Sequence, residues 1–73
     1  MEGIKMDAQQ LLDMDSHMLL SIVNMKLRNE FRHFCEFCDD LNVEGKIIML
    51  KLQKIGYSYQ EDINQFVSIK ELL

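Results

Sequence analysis

The stretch Phe34-Cys-Glu-Phe-Cys-Asp-Asp-Leu-Asn-Val-Glu-Gly-Lys-Ile-Ile-Met-Leu-Lys-Leu-Gln-Lys-Ile55 decides the fold of this chain. Phe34, Phe37, Cys38 and Leu41 recur at helical spacing, so one side of a short helix faces a core while Glu36, Asp39 and Asp40 face water. Asn42 suits the left-handed residue that ends such a helix, and Val43 reads as a buried turn residue. A second helix follows from Gly45 to Ile55. Its inner stripe is Ile48, Leu52 and Ile55, and Gly56 stops it. With Cys38, Leu41, Val43, Ile48 and Leu52 apolar, this segment has the spacing of a helix-turn-helix.

The flanks agree with that reading. Upstream, Asp15 or Ser16 can accept a backbone N–H as an N-cap. Leu19, Leu20, Val23, Leu27 and Phe31 then share one face of a helix. Arg32 and His33 at its end favour the negative pole of the helix dipole. Downstream, Tyr57-Ser-Tyr59 and Asn64-Gln-Phe66 alternate as short strands, with Gln60 to Ile63 as their turn. That hairpin sits where a wing would sit. The expected fold is mainly α: a three-helix, helix-turn-helix-like domain with a C-terminal β-hairpin, winged-helix-like. Residues 15–67 form the single domain. Residues 1–14 are an N-terminal extension in which Asp7 is the earliest start for a short helix. Residues 68–73 are a C-terminal tail that either lengthens the second strand or makes a helical turn.

Composition sets limits on function. A chain of 73 residues makes one domain, and at that size only about 60% of the unfolded surface is buried. The 48% hydrophobic content and six methionines are high for so thin a core. Met adapts to partner surfaces, so some apolar residues are expected to be covered by a second chain. The formal charge is −4, and residues 34–67 hold six acids against three bases. This disfavours a nucleic-acid binder, which usually carries a basic field. The longest run of aliphatic or Met residues, Ile47 to Leu50, is far below the roughly 20 residues of a membrane span. No signal-peptide core opens the chain, so the expected compartment is the cytoplasm with reduced thiols.

The separated residues Leu19-Leu-Ser21, Asn24, Lys26-Leu-Arg28, Leu41, Gly56-Tyr57, Tyr59 and Asn64-Gln-Phe66 occur in one order. In these the chain resembles a family of short bacterial proteins, the domain of unknown function numbered 4250, over about residues 13–66. The resemblance implies no activity, substrate or cofactor. Where the family usually has a Ser before its second helix, this chain has His33. Cys38 matches a family Cys, and Cys35 does not.

Four groups of residues are candidates for a site. His17, Ser21, Asn24, Arg28 and Arg32 fall within a sector of roughly 80° on the first helix. Ser and Asn are mediocre helix formers, so this stripe of Ser21, Asn24, Arg28 and Arg32 is expected to hydrogen-bond to something. Either Asn24 and Arg28 tie the helix to the hairpin, or Arg28 and Arg32 serve as fork donors to an anion or partner. The structural role is favoured, because unpaired buried polar groups are costly. Cys35-x-x-Cys38 is weak as a zinc site, which needs four ligands, and free Cys is usually a small buried hydrophobe. On the last helix, Lys46, Lys51 and Lys54 are the candidate phosphate contacts. Ile47, Met49 and Leu50 on the same outward side suit a protein contact better than DNA. Tyr57, Tyr59 and Phe66 lack flanking basic residues, so they are expected to pack on the helices rather than stack bases.

No Ser/His/Asp order, glycine-rich phosphate loop or credible carboxylate pair is present, and a chain this short has little volume for a pocket. The expectation is therefore a non-enzyme with no cofactor and no metal. Its partner is a homodimer mate or another protein, through Ile47, Met49 and Leu50 or the N-terminal extension. The alternative is a helix-turn-helix nucleic-acid-binding regulator. A small-anion sensor using Arg28 and Arg32 ranks third.

Overall fold

The computed structural model describes residues 8–72. The order is α1 (Ala8–Asp13), α2 (Ser16–Asn29), α3 (Phe34–Leu41), α4 (Gly45–Gln53), β1 (Tyr57–Gln60), β2 (Gln65–Ser68) and a single turn of helix, α5 (Ile69–Leu72). The domain is mainly helical, and a two-stranded antiparallel hairpin follows the four main helices.

Each boundary has a local cause. Asp15 caps α2: its Oδ2 accepts the N–H groups of His17 at 3.0 Å and Met18 at 3.3 Å. Two of the donors that a helix leaves unpaired at its start are thereby satisfied. His33 stands at the N-cap of α3 and makes no side-chain cap bond. Two neighbouring amides at this junction are met by other side chains. Tyr59 Oη accepts the Phe34 N–H at 3.3 Å, and Glu36 Oε1 reaches back to the Arg32 N–H at 3.0 Å. Asn42 takes the left-handed conformation (φ 57°, ψ 47°). Its N–H bonds Asp39 O at 3.2 Å and the Val43 N–H bonds Cys38 O at 3.0 Å, the paired closure of a Schellman motif.

The end of α4 differs from the expected Ile55. The helix stops at Gln53 because the last turn tightens. Ile55 N–H donates to Leu52 O at 3.1 Å and Gly56 N–H to Gln53 O at 2.9 Å, both three residues back, as in a 3₁₀ turn. Gly56 then takes φ 85°, a conformation glycine adopts at no steric cost. The hairpin is also longer than the sequence suggests. Tyr57↔Ser68, Ser58↔Val67, Tyr59↔Phe66 and Gln60↔Gln65 are opposite, so the turn is Glu61 to Asn64. Asn64 (φ 53°) closes it, with its N–H on Glu61 O at 3.3 Å. Ser68 belongs to β2, and the tail turns helical at Ile69.

The core draws on the four main helices and β2: Leu11, Leu19, Val23, Leu27, Phe34, Phe37, Cys38, Ile48, Leu52 and Phe66 are all buried. Leu20, Phe31, Leu41 and Ile55 from the expected apolar faces pack at its edge. Phe34 is the aromatic hub. Its ring centroid lies 5.2 Å from Phe66, edge to face, and 5.5 Å from Tyr59, spacings at which ring pairs attract beyond their buried area. The hairpin aromatics Tyr59 and Phe66 are thus packing groups. Leu11 is fully buried although its helix has only six residues.

Candidate functional site

The polar stripe of α2 divides into two kinds of residue. Asn24 holds the backbone of β2 with both ends of its amide: Oδ1 accepts the Phe66 N–H at 2.8 Å, and Nδ2 donates to Phe66 O at 3.0 Å. Gln65 returns the contact, its Nε2 donating to Asn24 O at 3.0 Å. One turn further along, Asn64 Nδ2 donates to Leu27 O at 3.0 Å and Phe31 O at 2.9 Å. The Leu27 carbonyl is one that the end of α2 leaves unpaired, and Phe31 lies just past that end. Asn64 Oδ1 accepts the Tyr59 hydroxyl at 2.6 Å, and that hydroxyl is the one that accepts the Phe34 N–H. A continuous chain of hydrogen bonds therefore joins α2, the hairpin and the start of α3, and Asn24 acts in it as a lock between helix and hairpin.

The rest of the stripe faces water. His17, Ser21 and Arg28 are exposed on α2, whereas Arg32, expected on the same helix, is exposed beyond it: α2 ends at Asn29, where the Glu30 and Phe31 N–H groups both turn back to Lys26 O. Among the described residues, the Arg28 and Arg32 guanidinium groups have no ion-pair or hydrogen-bond partner. The structure brings Asn24 to the hairpin and leaves Arg28 off it. Gln65 and Asn64 complete the lock, and helical periodicity could not reveal them because they lie on the other element.

The outer side of α4 carries three large apolar residues among polar ones. Ile47 is 44% exposed, Met49 40% and Leu50 52%, while Ile48 and Leu52 on the inner side are fully buried. Met49 and Leu50 form one wall of a groove of about 310 Å³, with Lys46 and Gln53 at its rim and Tyr57 and Ser58 of β1 opposite. Met49 also borders two hollows toward α3. Of the three lysines, Lys46 and Lys54 are exposed. Lys51 is half-buried and its Nζ donates to Leu12 O at 2.8 Å, so its ammonium is spent on pinning α1 against α4.

Cys35 is exposed and Cys38 is buried, and both are free thiols. Burial, with Asp39 and Cys35 adding negative charge nearby, pushes the Cys38 thiol up to about 11. A thiol held neutral in this way is a poor nucleophile and a poor metal ligand. Among the described residues, no group of three His, Cys, Asp or Glu side chains is placed to hold a metal ion, and no helix is long and apolar enough to cross a membrane.

The family model described as Domain of unknown function (DUF4250) matches residues 13–66. The chain belongs to that family. Comparison with curated proteins and with solved structures gives no match.

Proposed function

We propose that this DUF4250 chain is a non-catalytic, cytoplasmic interaction module that self-associates through the outer side of α4. The observation that carries the reading is the joint exposure of Ile47, Met49 and Leu50 on a helix that is already buried on its other side. Removing such surface from water gains roughly 25 cal/mol per Å², and contiguous apolar patches mark protein contacts more often than nucleic-acid contacts. A second copy is the fitting occupant. Lys46 and Lys54 lie beside the apolar residues, and the exposed Asp39 and Asp40 of α3 supply the opposite sign on the same chain. A two-fold interface that includes charges draws both signs from one surface.

The order α3, tight turn, α4 and hairpin also fits a winged helix-turn-helix. It supports a second reading, a DNA-binding regulator with α4 as recognition helix and Lys46 and Lys54 on phosphates. The net charge of −4 weighs against it, as does the engagement of Lys51 with α1.

Light scattering coupled to size exclusion, with and without duplex DNA, separates the two. Self-association predicts a dimer that dissociates in Leu50→Glu and ignores duplex at about 0.15 M salt. The regulator predicts duplex binding with a steep salt slope that flattens in Lys46→Ala or Lys54→Ala. A strict monomer with tight, salt-sensitive duplex binding would overturn the first reading in favour of the second.

A further inference from the structure

The hairpin has two outer edges, and the molecule treats them differently. At β2, Asn24 takes both the N–H and the C=O of Phe66. In an antiparallel ladder these two groups of one residue point to the same side. Phe66 and its partner Tyr59 therefore turn their backbone groups away from each other. The Ile69 N–H donates to Gly56 O at 2.7 Å, continuing the register one step beyond Tyr57↔Ser68 and giving the same alternation. It follows that the N–H and C=O groups of Tyr57 and Tyr59 point outward along the free edge of β1. Among the described residues no other backbone group pairs with them. The Tyr59 carbonyl accepts only the side chain of its neighbour Gln60, at 3.2 Å. Natural edge strands are usually guarded by lysine, proline or a bulge. Tyr57-Ser-Tyr-Gln60 has none of these.

We infer that β1 pairs antiparallel with β1 of a second copy across a two-fold axis, giving a four-stranded sheet. This rests on the self-association reading and names its contact. Placing Tyr57 of one copy opposite Tyr59 of the other matches outward-bonding residues, and each such pair exchanges two hydrogen bonds. Ser58 then meets Ser58 on the axis. The same register brings Lys54, just before β1, toward Asp62, just after it, in the other copy, and symmetry makes the pairing twofold. The uncharged strand lies between these charges. The axis is perpendicular to the sheet, so both α4 helices fall on one side of it. The incoming strand occupies the groove walled by Met49 and Leu50. Because Asn24 closes the β2 edge, addition stops at two copies and no filament grows.

Ser58 carries the test. Across the axis it forms a non-hydrogen-bonded pair, where side chains are closest. Ser58→Lys or Ser58→Glu alone should raise the dimer dissociation constant at least about tenfold, a cost of ~1.4 kcal/mol, and mixing the two variants should restore a dimer. In a Cys35→Ser background, Ser58→Cys should oxidise to a covalent dimer, because the opposed backbones lie within disulfide reach. If Ser58→Lys dimerises like the parent while Leu50→Glu does not, strand pairing is overturned and the α4 reading survives. A parent chain that stays monomeric up to hundreds of micromolar overturns both. Should Ser58→Lys fail to fold, the cross-link decides, and its absence counts against the pairing.

Discussion

Asn24 binds Phe66 as a neighbouring strand would. Its side-chain amide gives one donor and one acceptor to the backbone of a residue 42 positions away, at 3.0 and 2.8 Å. A helix side chain thereby replaces the missing third strand of the sheet.

Replacing Asn24 by Ala leaves a part-buried N–H and C=O of Phe66 unpaired. Each such group costs roughly 1–3 kcal/mol, so Asn24→Ala is expected to lose about 2–4 kcal/mol in urea unfolding. Arg28→Ala, on the same stripe but exposed, should stay within about 0.5 kcal/mol of the parent. Parent-like unfolding of Asn24→Ala would refute its role as a lock.

The Tyr59 hydroxyl can be tested without disturbing its ring. Tyr59→Phe keeps the stacking on Phe34 and Phe66 but removes the bridge between Asn64 and the start of α3. The expected loss is about 1–2 kcal/mol. Hydrogen exchange should speed up first at the Phe34 amide, where Tyr59 Oη is the acceptor.

Gly45 of α4 sits tightly against side chains of α3. A Cβ there would lie 3.0 Å from Phe34 Cε2 and 3.1 Å from Cys38 Sγ, and both side chains are buried. Gly45→Ala should therefore destabilise by about 1–3 kcal/mol, as overpacking does, despite the better helix propensity of Ala. A higher melting temperature would show that the contact relaxes freely.

Cys38 makes stability depend on alkaline pH. Its folded thiol is raised to about 11, whereas an unfolded thiol titrates near 8.5. Above that lower value the unfolded chain releases a proton that the folded chain retains, so stability falls as pH rises from about 8.5 to 11. The loss is on the order of 2–3 kcal/mol at the top of that window. Denaturation midpoints in Cys38→Ala should lack this component. Thiol reagents should label Cys35 quickly and Cys38 only on unfolding.

Helix periodicity made most of the fold legible, because each long helix buries a clean stripe: Leu19, Val23 and Leu27, then Phe34, Phe37 and Cys38, then Ile48 and Leu52. The hairpin's exact register was less visible. Its turn closes through Asn64 in the left-handed region rather than through an Asn-Gly pair, so the strand ends carried no local marker. Of the α2 stripe, the spacing singled out Asn24 but could not separate it from Arg28. That difference is set by where β2 comes to lie, which is a long-range fact. Leu11 was legible as apolar but not as buried, for a similar reason: a helix of six residues shows too little periodicity to declare a buried side.

Leu11 bears on where the cooperative unit begins. The family match starts at residue 13 and ends at residue 66. Yet Leu11 is fully enclosed, Leu12 holds the Lys51 ammonium, and Ile69 extends the ladder beyond that limit. A fragment trimmed to the matched segment would carry a hole where Leu11 sat and a frayed strand end. Experiments on relatives should therefore keep the residues on either side of the shared segment, since part of what holds it together lies in sequence that the family does not define.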